Sequence, residues 1–197
     1  MKYRHSLNLM LIIILSLSLS GCVIYEQIRM KLNLSKRTGQ IEYFNIVSAI
    51  EKEDSYWEND AEKEKFLYEL KETRKKDLVD LLKEYDDIKV NSNMEVTSKK
   101  LVKKKNQLNG IEKFKYKSFK DFEIETSADG SSYALKLEGD QRYIDGNGFY
   151  FETDTGNYVS WSVDVKYIDI TLKLHDLEDF DYVESLLPYW KEWKKTN

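Results

Sequence analysis

Apolar positions follow three regimes along the chain. From Leu7 to Leu19 they form one run, broken only by Asn8, Ser16 and Ser18 and free of charge. From Val23 to Ile88 they return at steps of three and four. From Phe114 onward they alternate. The first run is shorter than the ~20 apolar residues of a membrane-crossing helix. It follows Lys2 and Arg4, so it reads as the apolar core of an export signal.

In the second regime, Ile24, Ile28 and Leu32, with Tyr25, are flanked by Arg29, Lys31, Lys36 and Arg37. This spacing predicts a short basic amphipathic helix. Tyr43, Ile46, Val47, Ile50 and Trp57 predict a second helix over 41–57. The strongest pattern runs over 61–88, where Leu67, Leu70, Leu78, Leu81 and Tyr85 keep one face and no Gly or Pro intervenes. Asn59 or Asp60 offers its cap, and acids at 60, 62 and 64 suit a helix N-terminus. Arg74 occupies its apolar stripe, where the stem is expected to cover the core edge while the head reaches water. The helices over 41–57 and 61–88 are expected to pair as an antiparallel hairpin.

Val90 to Asn109 is polar, with turn material at Asn91-Ser92-Asn93 and Asn109-Gly110. Alternation then begins: Phe114 and Tyr116, Phe122 and Ile124, and Tyr133, Leu135 and Leu137. Turns are predicted at 128–131, 145–148 and 154–157. Between 158 and 174 the apolar parity changes, from Val159 and Trp161 to Ile168, Ile170 and Leu172. A one-residue slip turns every side chain over, so a long strand bent or bulged near Tyr167-Ile168 is expected. Asp176 would cap a last helix carrying Leu177, Phe180, Val183, Leu187, Trp190 and Trp193, kinked or restarted by Pro188. The pattern as a whole predicts an α+β fold: an N-terminal helical hairpin, an antiparallel meander of about four to five strands, and a C-terminal helix on the sheet.

The apolar leader ends in Leu19-Ser20-Gly21-Cys22, and Cys22 is the sole cysteine. An aliphatic residue, two small residues and a cysteine after such a leader resemble the lipobox of bacterial lipoproteins. The resemblance covers residues 1–22 only. It implies cleavage before Cys22, diacylglycerol on its thiol, and residence in the bacterial cell envelope on a membrane. Two or three acyl chains hold a domain on a bilayer where one would be marginal. The expected organisation is a cleaved signal peptide over 1–21, a lipidated cysteine with a short basic membrane-proximal segment over 22–40, and one domain over 41–197. Within that domain 41–90 is helical, 91–112 a lysine-rich connection, 113–175 the sheet and 176–197 the last helix.

Charge divides the mature chain. Residues 99–120 hold nine lysines against Glu112 alone, whereas residues 121–197 hold seven basic and 17 acidic side chains. Lys99, Lys100, Lys103, Lys104 and Lys105 are candidates for contact with anionic lipid headgroups, or are simply solvated. An exported, acidic chain is a poor partner for nucleic acid.

Catalytic material is sparse. His175 is the mature chain's single histidine, so clustered His/Cys metal sites are excluded, and no Ser sits in a sharp strand–turn–helix glycine context to use it. There is no glycine-rich phosphate loop. "DGNG" at 145–148 and "DTGN" at 154–157 resemble pieces of calcium loops but lack the spaced oxygens and distal Glu; both also suit hairpin turns. No cofactor, no metal and no catalytic residue is expected. The composition favours a non-catalytic binding or assembly module, anchored through acylated Cys22 and engaging a protein partner. An immunity-type lipoprotein that neutralises a periplasmic toxin, and a small carboxylate-dependent hydrolase, are the alternatives.

Overall fold

The structure, a computed structural model, describes residues 22–51, 60–86 and 94–196. The signal peptide over 1–21, Trp57, Ile88 and the predicted turn at 91–93 lie outside the described residues. Among those described, eleven strands form two antiparallel sheets and only two helices occur, which overturns the predicted α+β fold. The fold is mainly β.

The chain opens with a long hairpin, β1 (Cys22–Asn33) and β2 (Thr38–Glu51), in which Cys22 pairs with Ala49 and Asn33 with Thr38. Helix α1 (Asp60–Asp86) follows, then the hairpin β3 (Met94–Lys104) and β4 (Gln107–Tyr116). A second sheet interposes β5 (Ile124–Thr126), β6 (Ser132–Leu137), β8 (Phe149–Thr153) and β9 (Gly156–Ser162). The chain returns to the first sheet with β7 (Arg142–Gly146), β10 (Tyr167–Lys173) and β11 (Phe180–Ser185), and ends in helix α2 (Leu187–Thr196). The large sheet runs β3-β4-β2-β1-β10-β7, with β11 on the far half of β2; the small sheet runs β5-β6-β9-β8.

Both segments predicted as a helix before residue 57 are therefore strands, for an identifiable reason. Ile28 and Leu32 lie four apart in one cluster, since a step of four is also two strand repeats, whereas Ile24 belongs to another cluster with Val47. In β2, Asn45 takes a left-handed conformation with φ 52°, one that Asn tolerates better than most residues. Its N–H donates to Asn109 Oδ1 at 3.2 Å and its Nδ2 to Glu26 Oε2 at 2.7 Å. At this point β2 exchanges β4 for β11 as its neighbour. Ile41 and Tyr43 belong to one core cluster, and Ile46 to the next. The step from Tyr43 to Ile46 imitates a helical repeat.

The C-terminal helix predicted from Asp176 is corrected in the same way. Residues 180–185 are β11, whose register against β2 shifts between Asp181 and Glu184. Tyr182, at φ 51°, occupies the shift. Phe180 and Val183 consequently pack in one cluster although three apart. Helix α2 starts only at Leu187, with Pro188 in its first turn, where a missing N–H costs nothing. The expected bent strand over 158–174 is two strands in different sheets, β9 and β10, separated by residues 163–166. Both apolar parities still meet in one core: Val159 and Trp161 from the small sheet, Ile168, Ile170 and Leu172 from the large one.

Two clusters share the covered side of the large sheet. Where β1 ends, the small sheet packs on it through Phe114, Leu32, Ile168, Val159 and Trp161. Where β1 begins, the helices pack on it: Ile46 and Leu108 meet Leu81 and Tyr85 of α1 and Leu187 of α2. Tyr43 and Tyr25, with ring centroids 4.8 Å apart, join the two. Helix α1 forms where its pattern predicts, although Leu67 of the predicted face is exposed. It is fixed by Ser48 Oγ donating to Asp77 Oδ2 at 2.6 Å, both side chains being buried, and burial raises the Asp77 carboxyl above its ordinary range although the Ser48 bond opposes this. Arg74 does not reach water as expected. It is ion-paired to Glu184, and its Nη2 donates at 2.9 Å to the Tyr182 carbonyl, closing the β11 bulge.

Candidate functional site

The lysine-rich segment 91–112, read as a connection, is the β3–β4 hairpin where described. Its turn is Lys105-Asn106, with φ 49° and 62°, the two positive φ values of a type I′ turn. Asn109-Gly110, predicted to turn, lies inside β4 and is buried.

The hairpin separates the five candidate lysines. Lys99 is half-buried, opposite Glu112, and its Nζ reaches the Glu84 carbonyl near the end of α1 at 3.4 Å. Lys104 Nζ lies 3.3 Å from Glu42 Oε2 and 5.3 Å from the centroid of the Phe44 ring. Lys100, Lys103 and Lys105 are exposed. The five therefore do not form one patch; Lys103, Lys104 and Lys105 gather at the tip. Gly110 pairs with Tyr43 and Cys22 with Ala49. Past Tyr43 the place beside β2 belongs to β11, whose Glu184 faces Ser48; the hairpin tip runs on in the direction of the Cys22 end, with Lys104 held to Glu42. Cys22 itself is half-buried beside the cluster of Ile24, Val47 and Ala49.

Toward the end of β1 the opposite face of the large sheet is open and charged, whereas near Cys22 Ile24, Val47 and Ala49 are buried on it. Arg29 Nε and Nη2 clasp Asp169 at 2.8 and 2.7 Å, and Lys31 Nζ stands 3.5 Å from the same carboxylate. The Arg29 bonds hold the Asp169 carboxyl below its ordinary range, against a smaller opposing effect of burial. Gln40 Nε2 donates to Glu42 at 2.7 Å, and Lys115 meets Glu95 at 3.5 Å. Lys31, Gln40, Thr97, Lys113, Lys115 and Asp169 line a shallow hollow of about 480 Å³. Acids already face two of its cations, so the hollow is a mixed, cross-paired surface.

The chain matches no protein-family model, and no curated protein or solved structure is similar to it.

The remaining candidates resolve into structural roles. His175 stands edge-on to Phe180 at 5.8 Å, and burial lowers its pKa. "DGNG" is a bracket between the sheets: Asn147 Oδ1 accepts from Trp161 Nε1 at 2.9 Å and from the Asp169 N–H at 2.8 Å, while its Nδ2 donates to the Tyr167 carbonyl. Gly146, at φ 151°, passes so close to the Asp169 carbonyl that a Cβ would collide with it. "DTGN" joins β8 to β9, with Thr153 Oγ1 donating to the Gly156 carbonyl at 3.0 Å. Among the described residues no three His, Cys, Asp or Glu side chains gather as a metal site would need. No described helix is long and apolar enough to cross a membrane.

What sequence reading missed is a ladder of aromatic rings on the outer side of the small sheet. Phe149 stacks on Phe151 with centroids 6.2 Å apart, and Phe151 on Tyr158 at 5.5 Å. The alternation of Phe149, Tyr150 and Phe151 contained the signal, since one parity of an aromatic strand must face outward.

Proposed function

We propose that this protein is a bacterial envelope lipoprotein, anchored by acylated Cys22, that works as a non-catalytic binding or assembly module for a protein partner. The observation that carries the reading is the position of Cys22. It is the first residue of a 12-residue strand, paired to Ala49 within the sheet, and not part of a tether. Acyl chains there hold the sheet's first end at the bilayer and extend its other end roughly 40 Å outward at ~3.3 Å per residue. The Lys103–Lys105 tip points toward that end from the β3–β4 hairpin. Each lysine near an anionic surface contributes about 1 kcal/mol, fading over a Debye length of ~8–10 Å. The tip would thus fix the orientation in which the far end is displayed.

The test has two parts. Cys22→Ser should abolish palmitate labelling and leave the leader over 1–21 uncleaved; labelling that persists in the variant refutes the anchor. The full chain carrying Cys22→Ser should then cosediment with anionic vesicles at low salt and lose this binding when Lys103, Lys104 and Lys105 become Gln. Indifference to anionic vesicles refutes the orienting role.

A further inference from the structure

We propose that the outer edge of β8 takes up an extended, basic segment of a partner protein, which joins the small sheet as a fifth strand. This deepens the binding reading above and is independent of the lipid anchor.

The argument begins with the edges of the two sheets. An edge strand offers unpaired backbone groups to any passing chain, and proteins normally guard it with lysines, bulges or short length. β3, at one edge of the large sheet, carries Lys99, Lys100, Lys103 and Lys104 and shifts register between Val96 and Ser98. β7, at the other edge, begins with Arg142, and its pairing shifts at Thr171 and Leu172. β5 is three residues long. β8 carries no lysine and no register shift, and its one charge, Glu152, accepts from the Tyr150 hydroxyl at 2.7 Å. Its sequence is Phe-Tyr-Phe-Glu-Thr, and it pairs with β9 without interruption from Phe149 to Thr153. β11, which pairs only with β2, shifts register between Asp181 and Glu184; four guarded edges beside one aromatic edge single out β8 as the edge open for pairing.

The exposed rings point the same way. Phe149 is 71% exposed and is held in the stack with Phe151 and Tyr158. Tyr150, of opposite parity, turns inward and stacks on Tyr143 at 6.0 Å. The outward rings therefore form a preset platform beside the open edge. In strand addition the backbone supplies affinity and alternate side chains supply selectivity. Cross-strand aromatic pairs add to it.

The platform and its surroundings define the occupant. Apolar or aromatic side chains at alternate positions would cover Phe149 and Phe151. Basic side chains would meet Glu152 and Asp154, both exposed where the strand ends, within a C-terminal region dominated by acids. A second copy fits less well. Five residues span roughly 17 Å, a contact well below the ~800 Å² per partner of a stable protein pair.

The experiment uses the full chain in detergent micelles and a fluorescent nine-residue peptide alternating lysine with phenylalanine. Binding should fall at least tenfold for the same peptide with alternate backbone nitrogens methylated, which blocks strand pairing. It should fall at least tenfold for the peptide with glutamate in place of lysine, and likewise for the Phe151→Lys protein, whose melting temperature should stay within a few degrees of the parent. Equal binding of the methylated peptide overturns the proposal in favour of charge adsorption. A concentration-dependent dimer abolished by Phe151→Lys overturns it in favour of a second copy, and no binding at all overturns it outright. Palmitate labelling is read separately, so failure of the edge and failure of the anchor are distinguishable.

Discussion

Tyr85 and Gly110 provide the sharpest test of the packing between α1 and the sheet. Tyr85 is 8% exposed, and its hydroxyl is buried with no hydrogen-bond partner among the described residues. Burial, then the nearby Tyr25 and Tyr43, raise its pKa far above the ordinary tyrosine value. The hydroxyl lies over Gly110, where a Cβ would overlap it. A buried unsatisfied donor costs about 1–3 kcal/mol. Tyr85→Phe removes it while keeping the ring against Leu81 and Leu108, so stability should rise by about 1 kcal/mol. For a domain of this length that is roughly 2–4 °C in melting temperature. Gly110→Ala should lose about 1–3 kcal/mol to overpacking, more than the 0.4–1 kcal/mol that Ala gains by restricting the unfolded chain. Combined with Tyr85→Phe, the Gly110→Ala loss should shrink, giving a coupling of about 0.5–3 kcal/mol. Urea unfolding followed by circular dichroism measures all four corners. A Tyr85→Phe variant less stable than its parent, or strictly additive losses, would refute the reasoning.

Two further expectations follow from buried charge. Burial raises the Glu112 pKa, an effect that Lys99 opposes and Glu84 reinforces. A raised folded-state value gives stability that is fully present below the unfolded value of ~4.3 and is lost as pH rises through the folded one. Glu112→Gln should therefore stabilise the protein at pH 7 and flatten its stability profile above pH 4; a variant less stable at pH 7 would contradict this. Arg74→Ala should cost about 2–3 kcal/mol, because its 11%-exposed head leaves Glu184 and the Tyr182 carbonyl without their donor. That is less than for a fully buried pair, since Glu184 is 40% exposed. A loss under 0.5 kcal/mol in urea unfolding would show that Arg74 does not hold the bulge.

The helix over 60–86 was legible because three- and four-residue steps run through a long segment without Gly or Pro, although Arg74 interrupts the stripe and Leu67 is exposed. The strands from Phe114 onward were legible because one parity stays apolar. The segments 38–51 and 180–185 were not, and the two failures share a cause: Asn45 and Tyr182 each put one left-handed residue into a strand. Each reverses the parity, and the apolar positions on its two sides then fall three apart. The residues themselves offered a correction, since Ile41, Tyr43, Phe44, Ile46, Val47 and Ile50 are β-branched or aromatic almost throughout. The lysine cluster was visible as composition, but its division was not. Whether neighbouring lysines share a face depends on strand alternation, and a helical or loop reading of 91–112 placed them together.

The corrected fold changes what the charge asymmetry means. In a loop, a run of lysines beside an acidic half is simply solvated surface. On β3 the same lysines guard a sheet edge, and the hairpin tip points toward the Cys22 end of the large sheet. Edge protection alone accounts for Lys100 and Lys103 and requires no membrane. It does not account for Lys105, which lies in the turn beyond the edge and takes up positive φ there, where Gly or Asn is usual. A β-hairpin that needed only to close would gain from Asn or Gly at that position. Lys105 at that position fits the proposed surface facing anionic headgroups, and the open β8 edge fits the proposed basic partner.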